Sequence, residues 1–209
     1  ELEDVYRPYK PKRRTRAMIA REKGLAPLAE RLWEQRMEDP APLELAAAYV
    51  DEALGVATPA DALAGAGDIL AETYSDDAQI RARLRQLVAK EGRIHTKAAK
   101  EEDSVYRMYY DFAEPVRAMA GHRVLAMDRG EREEFLKVTL SADENYLLAL
   151  TLRHILKRQP SPCGEELKAA AADSLSRLIL PSLEREIHSQ LTETAANQAI
   201  DVFALNLRH

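Results

Sequence analysis

A cluster of positive charges near the start of the chain offers the clearest chemistry in this sequence. Residues 6–23 read YRPYKPKRRTRAMIAREK, in which eight residues are Lys or Arg and one is acidic, although the whole chain has a formal charge of -5. Lys and Arg side chains neutralise phosphates and release counterions, which gives affinity for nucleic acid without reading its sequence. Tyr6 and Tyr9 lie among these charges, and their rings suit stacking on unpaired bases. The residues predicted to contact phosphate are Arg7, Lys10, Lys12, Arg13, Arg14 and Arg16.

Other interpretations remain open for the positive charges. The basic segment can instead pack on the acidic remainder of the chain, with its arginines paired to carboxylates and its tyrosines acting as hydrophobic anchors. A secondary positive patch is predicted from Lys90, Arg93, Lys97 and Lys100. The segment that contains most of this patch, residues 93–102, has no clear periodicity. For the secondary patch we prefer the interpretation of a solvated loop.

The motif search yields no active site, metal centre or cofactor site. The five histidines form neither an HExxH motif nor a close set with the cysteine. Glu184 and His188 are four residues apart, and a surface ion pair is preferred over a metal site with only two ligands. Cys163 is interpreted as a small residue at a helix start rather than as a nucleophile. The sequence contains no Gly-rich phosphate loop, so we expect a non-catalytic protein without a metal or a cofactor.

The composition indicates one or two domains with a substantial hydrophobic core. The chain has 209 residues, of which 46% are hydrophobic and 31% are charged, and its abundant Ala, Leu, Glu and Arg favour helix. It has no apolar run of about 18 residues, so we expect no membrane span. The single cysteine excludes an internal disulfide and fits a reducing compartment, so a cytoplasmic location is expected. Glu1 is not Met, and the last residues look helical, so we expect a piece of a longer protein.

Periodicity and capping signals predict a multi-helix protein of the all-α class. Pro8 and Pro11 make segment 1–14 an extended arm, and Thr15 caps a following helix that Gly24 ends. Further helices are predicted from Pro27, from Pro42, over 58–74, from Ser75 to Gly92, over 103–112, from Pro115 with a division at Gly121, from Asp143, around 167–178 and over 182–208.

One extended segment and one long helix distinguish the second half of the chain. Residues 136–140 alternate as Leu, Lys, Val, Thr and Leu, which predicts a short strand whose partner cannot be named. The long helix over 182–208 has an apolar face that broadens toward its end, so we expect it to contact more than one neighbour. An uncovered part of that face would favour self-association.

Three long stretches carry a more specific signal than the composition does. They are LEDVYRPYKPKRRTRAMIAREKGLAPLA (2–29), GHRVLAMDRGERE (121–133) and LILPSLEREIHSQLTETAANQAIDVFALNLR (178–208). In this order they resemble the Tex family of bacterial transcription accessory proteins, which is related to the eukaryotic elongation factor and histone chaperone of the suppressor-of-Ty group. The resemblance spans essentially the whole chain. Gly121 is a departure, since the family has Ser before the equivalent of His122, and no activity is attached to that position.

The resemblance implies an all-α scaffold with a helix-turn-helix-like element, for which the candidate helix pairs are 15–35 and 58–91. We divide the chain into an extended basic arm (1–14), a helical Tex N-terminal region (15–135) and a helical continuation (136–209). Complete Tex proteins continue into a YqgF domain, helix-hairpin-helix elements and an OB-fold RNA-binding domain. None of those sequences is present here, so the chain resembles the part that ends before the YqgF domain.

Two functions are compatible with the residues and with the resemblance. The first is a non-catalytic scaffold that supports RNA or DNA binding in transcription, mostly within the intact protein. The second is a protein–protein interaction module that contacts the transcription machinery or downstream domains and has no nucleic-acid role of its own. The acidic remainder of the chain and the apolar face near 195–207 motivate the second function. No membrane partner is expected.

Overall fold

The computed structural model of this protein describes residues 13–208. It is mostly helical, at 66% of the chain, and it includes a three-stranded antiparallel sheet. The contacts divide the chain into two units. The first contains the described residues up to Tyr74 together with Ile155–Asp173, and the second contains Ser75–His154 together with the described residues from Ser174 onward.

The described residues form nine α-helices and three strands, together with short 3₁₀ turns and one π-helical segment, Ser174–Ile179. The helices are α1 (Arg16–Glu22), α2 (Ala26–Glu34), α3 (Pro42–Ala47), α4 (Pro59–Asp76), α5 (Ala78–Glu91), α6 (Gly121–Arg132), α7 (Glu144–Ile155), α8 (Gly164–Asp173) and α9 (Leu180–Asn206). The strands are β1 (Arg93–Ala98), β2 (Asp111–Pro115) and β3 (Leu136–Ser141). Within the range that the structure describes, no helix is both long and apolar enough to cross a membrane.

The first unit begins with two short helices whose ends follow the predicted signals. The Thr15 hydroxyl accepts a hydrogen bond from the Met18 N–H at 3.1 Å, which caps α1. Gly24 adopts a φ of 75°, and this left-handed conformation separates α1 from α2. Close packing against α4 then requires a second glycine, because a Cβ on Gly65 would lie 2.2 Å from a methyl group of Leu25. The start of α2 is thereby held against α4.

The second unit combines helices with the sheet. Its core includes Leu84 of α5, Met127 of α6, Leu183 and Ile187 of α9, and Ile94 of β1, all of them buried. β1 is the central strand and pairs antiparallel with β2 on one side and β3 on the other. Burial alternates along β1, as expected for a sheet with one covered face and one open face.

The outer edge of the sheet at β3 is occupied by carboxylates. The N–H of Val138 donates to Oε1 of Glu131 at 3.3 Å, and the N–H of Leu140 donates to Oε1 of Glu184 at 3.0 Å. These N–H groups point away from β1, and an unpaired edge strand would leave them open for another strand. Side chains from α6 and α9 therefore satisfy this edge.

The predictions for this region are partly wrong. The strand expected at 136–140 is confirmed as β3, but the all-α assignment omits the sheet, since 93–98 and 111–115 are also strands. The helix expected over 103–112 is wrong, because only a 3₁₀ turn forms at Arg107–Tyr109 before β2 begins. The end of this segment, Asp111 and Phe112, pairs with β1 instead, and this strand pairing overrides the local helical spacing of the tyrosines.

Two helix boundaries also differ from the predictions. Pro115 ends β2 and does not begin a helix; a 3₁₀ turn follows at Val116–Ala118. Gly121 is the first residue of α6 rather than a break within a helix. The long final helix is confirmed, and it spans Leu180–Asn206.

Candidate nucleic-acid interface

The described part of the basic arm is exposed. Arg13, Arg14 and Arg16 lie just before and at the first residue of α1. Arg14 forms an ion pair with Glu22, and its side chain nevertheless remains 62% exposed. Arg13 and Arg16 form no ion pair with any residue of 13–208. The other residues predicted for this interface, Arg7, Lys10 and Lys12, lie outside the described residues, as do Tyr6 and Tyr9.

The helix that follows the arm is fixed in position through one carboxylate. The Thr15 hydroxyl donates to Oε2 of Glu72 on α4 at 2.9 Å, and Nη1 of Arg21 lies 3.0 Å from Oε1 of the same residue. Arg21 therefore pairs with a carboxylate of the same chain, which is the alternative considered above for all the arginines of the basic segment. These contacts hold α1 against α4. The start of α1, where Arg13, Arg14 and Arg16 lie, therefore has a fixed position on the surface of the first unit.

Acidic residues lie beside one of these cations. Arg16 borders a groove of about 560 Å³ between α4 and α8. Asp68, Glu166 and Asp173 also line this groove. Arg16 therefore lies at the border of a groove that is lined in part by carboxylates.

Half of the secondary patch lies on a strand rather than in the solvated loop that we preferred. Arg93 and Lys97 belong to β1, and both are exposed on the face of the sheet opposite to buried Ile94 and Thr96. Lys100 lies beyond the strand, with its Nζ 4.9 Å from the centre of the Phe135 ring and 3.9 Å from a carboxylate oxygen of Glu134. Lys90 is exposed on α5. The sheet therefore brings together two of the four predicted residues.

The same face contains a lysine, Lys137, that was not among the predicted residues. Lys137 of β3 lies directly opposite Lys97 in the register of the sheet. His95, between Arg93 and Lys97, lies with its Nε2 2.7 Å from the Ser141 hydroxyl of β3. The alternation over 136–140 already placed Lys137 and Thr139 on one side of a strand, but the pairing with β1 was not visible in the sequence.

His188 and Asp128, two titratable residues outside the basic arm and the secondary patch, form a structural contact. His188 of α9 lies with Nε2 2.6 Å from Oδ1 of Asp128 on α6, and the Thr192 hydroxyl donates to Oδ2 at 2.7 Å. The hydrogen bond to Asp128 raises the pKa of His188, although burial opposes this. Burial alone would raise the pKa of Asp128, but the hydrogen bonds from His188 and Thr192 lower it below its usual range.

The pair of Glu184 and His188 does not form the ion pair that we expected. Glu184 accepts from the backbone of β3, and His188 binds Asp128, which is 60 residues away in sequence. Among residues 13–208, no three His, Cys, Asp or Glu side chains are grouped closely enough to hold a metal ion. Cys163 is fully buried, and this burial raises the pKa of its thiol, which disfavours the reactive thiolate.

Comparison with known proteins places this arrangement in a family. Residues 38–203 match the family described as Tex central region-like. The chain is 41% identical over 215 residues to an uncharacterized protein, YdcI, of Bacillus subtilis, and 38% identical over 216 residues to the transcriptional accessory protein Tex of Neisseria gonorrhoeae. The alignments cover 100% and 99% of this chain but 29% and 28% of those proteins.

A more distant relative is eukaryotic. The chain is 28% identical over 224 residues to the S1 RNA-binding domain-containing protein 1 of Homo sapiens, and it covers 22% of that protein. The chain thus spans less than a third of the length of each of these relatives. It belongs to the Tex central region-like family.

Proposed function

We propose that this chain is a non-catalytic scaffold of a cytoplasmic, Tex-like transcription accessory protein, and that it supports the binding of RNA or DNA. Family membership supports the transcriptional role. The absence of a metal-binding group among the described residues and the raised pKa of the buried Cys163 thiol are compatible with a non-catalytic scaffold. The nucleic acid would contact the basic arm, and the intact protein would supply further contacts.

The exposure of Arg13, Arg14 and Arg16 is the observation on which this proposal rests. Cations that served only to stabilise the fold would be expected to pair with the excess of carboxylates in this acidic chain, as Arg21 does. The exposed guanidinium groups of Arg13 and Arg16 can instead approach phosphates without first breaking internal ion pairs, and that of Arg14 is held only by an exposed pair with Glu22.

A salt titration of binding tests the proposal. In the arm variant, Arg13, Arg14 and Arg16 are replaced by Gln, and binding of a fluorescent single-stranded RNA is measured by anisotropy at several salt concentrations. Each phosphate contact contributes about -0.7 to the slope of log K against log salt for single strands, so the slope should become less negative by about 2.

A control variant separates contact from net charge. It replaces three exposed arginines elsewhere and changes the charge equally: Arg83→Gln, Arg129→Gln and Arg153→Gln. The control variant should bind RNA nearly as the unchanged chain does. Equal binding by the unchanged chain and the arm variant at every salt concentration would refute a role for the arm.

We further propose that α1 and α2, joined by the turn at Gly24, form the helix-turn-helix-like element, in preference to the pair at 58–91. Glu30 is exposed on α2. If α2 approaches a duplex, Glu30→Lys should raise the affinity for double-stranded DNA more than the affinity for single-stranded RNA. An equal change for both ligands would count against this assignment.

The second candidate function, a protein–protein interaction module, is favoured by the end of α9. Large apolar side chains there are exposed to solvent: Ile200, Val202, Phe203, Leu205 and Leu207. Exposed apolar patches of this kind mark interaction surfaces or drive self-association. In analytical ultracentrifugation, the average mass should rise with concentration and should fall to that of a monomer when Ile200, Phe203 and Leu207 are replaced by Ser. A monomer at all concentrations would exclude self-association, and partners retained from nuclease-treated lysate would favour protein contacts.

A further inference from the structure

We propose that the open face of the three-stranded sheet is a second nucleic-acid site, which binds the phosphate backbone of a single strand. The residues that carry the site are Arg93 and Lys97 of β1 and Lys137 of β3, and we call this surface the basic sheet face. It is separate from the basic arm, so it goes beyond the function proposed above and can fail independently of it.

The register of the sheet fixes the positions of these cations. Arg93 and Lys97 point to the same side because they are four residues apart on one strand. Lys137 is the direct partner of Lys97 on the neighbouring strand, and Ser141 is the direct partner of Arg93. Thr139 and Ser141 are exposed beside them and offer hydroxyl groups to phosphate oxygens. The result is a row of donors on a rigid element.

None of the three cations has a carboxylate partner among residues 13–208. Asp111 of β2 is the direct partner of Lys97 in the register, yet no ion pair joins the two within 4.0 Å. Some other cations of the second unit are paired, as Arg123 is with Glu114 at 2.7 Å. The basic sheet face therefore keeps its positive charge in a chain that has more acids than bases.

The pairing of Lys97 with Lys137 is unfavourable for folding. Like charges that lie directly opposite each other on neighbouring strands destabilise a sheet. A local arrangement that opposes stability is expected mainly where function requires it. A phosphate between the two ammonium groups would turn this repulsion into attraction.

The chemistry of the face favours nucleic acid over a protein partner. Stable protein interfaces centre on buried aromatic and aliphatic side chains. The open positions of the three strands contain no Phe, Tyr, Trp, Leu or Ile. They contain Arg93, His95, Lys97, Asp111, Ala113, Pro115, Lys137, Thr139 and Ser141. The lack of large aromatic rings also predicts contact with the backbone alone, without base stacking or base preference.

The test uses the whole 209-residue chain and a sheet variant with Arg93→Gln, Lys97→Gln and Lys137→Gln. All three residues are exposed, so the fold should be retained, which circular dichroism and thermal unfolding can verify. The probes are labelled U12 and dT12 oligonucleotides. Binding of both should weaken by roughly ten- to a hundredfold at 0.1 M salt, and the salt slope should become less negative by about 2.

Three comparisons decide the outcome. The control variant Arg83→Gln, Arg129→Gln and Arg153→Gln has the same net charge, so a loss of binding equal to that of the sheet variant would overturn the assignment. Polyglutamate of matched charge should bind more weakly than U12; tighter binding that the sheet variant abolishes would identify an acidic protein segment instead. Unchanged U12 binding by the sheet variant, with weakened binding by the arm variant, would refute this inference and leave the proposed function intact.

Discussion

Two groups of cations in the second unit lie close together in sequence but differ in their surroundings. Arg81 and Arg85 of α5 both bind the carboxylate of Glu186 on α9, at 2.7 and 2.8 Å. Arg93 and Lys97 of β1, the next element, face solvent without a carboxylate partner in the described chain. The first group holds two helices together, whereas the second contributes charge to a surface. The presence of a partner, rather than the density of charge in the sequence, separates structural cations from those available to a ligand.

Removal of Glu186 should have the largest effect on stability. Glu186→Gln leaves two half-buried guanidinium groups without their shared acceptor, and we expect the free energy of unfolding to fall by about 2 kcal/mol. Hydrogen bonds from Arg85 and Arg81 lower the pKa of Glu186 despite its partial burial. Its contribution should therefore be present above about pH 4.3 and be lost as the pH falls through its lowered pKa. Urea unfolding at pH 7 measures the loss, and Glu193→Gln on the exposed side of α9 is the control.

The contact of His188 with Asp128 should contribute the next largest effect, about 1.5 kcal/mol. The pKa of His188 is raised, so its contribution is complete below about pH 6.5 and disappears as the pH rises through the raised value. The pKa of Asp128 is lowered, so its contribution is complete above about pH 3.9 and disappears as the pH falls through the lowered value.

The stability difference between the unchanged chain and Asp128→Asn should therefore be greatest between about pH 4 and pH 6.5. Urea unfolding at half-unit intervals of pH measures this difference. A difference that does not vary with pH would show that the charges of the pair contribute nothing.

The same substitution on the covered face and on the open face of the sheet should differ in its effect on stability, and the larger of the two effects should be smaller than those above. Thr96 is buried, and its hydroxyl donates to the backbone oxygen of Tyr109 at 2.7 Å. Thr96→Val leaves that oxygen without its partner and should lower the free energy of unfolding by about 1 kcal/mol. Thr139→Val makes the same chemical change on the open face and should have almost no effect. Similar losses for both variants would contradict the assignment of covered and open faces.

The smallest change in stability is expected for Lys137→Glu. This variant should be slightly more stable than the unchanged chain but should bind RNA more weakly. A carboxylate opposite Lys97 replaces repulsion with attraction and should stabilise the sheet by a few tenths of a kcal/mol, less at high salt. The same change should weaken the binding of U12. Thermal unfolding and anisotropy together measure both effects, and a gain in binding would contradict a role for Lys137 in phosphate contact.

The sequence predicted what depends on local signals. Thr15 and Gly24 defined the ends of α1 because capping and left-handed turns require only neighbouring residues. The strand at 136–140 was recognised from its alternation, but β1 and β2 were not. Their strand conformation depends on pairing with each other across a loop, and such pairing leaves no periodic signal in segments of five or six residues.

The candidate sites, like the fold, were predictable only where local sequence signals define them. The position of the cations beside the start of α1 followed from the sequence, but their exposure did not, because a basic segment paired with carboxylates was an open alternative. The grouping of Arg93 and Lys97 with Lys137 required the register between β1 and β3, which are separated by more than 30 residues. The contact between His188 and Asp128 likewise depends on the packing of α6 against α9. In each case the missing information was which distant element lies opposite.

The carboxylates at the outer edge of β3 limit how the sheet can grow. A strand from another molecule that added there would have to displace Glu131 and Glu184 from the two N–H groups that they occupy. The sheet should therefore stay at three strands on that side, whereas replacement of both glutamates by Ala should favour intermolecular strand pairing and aggregation.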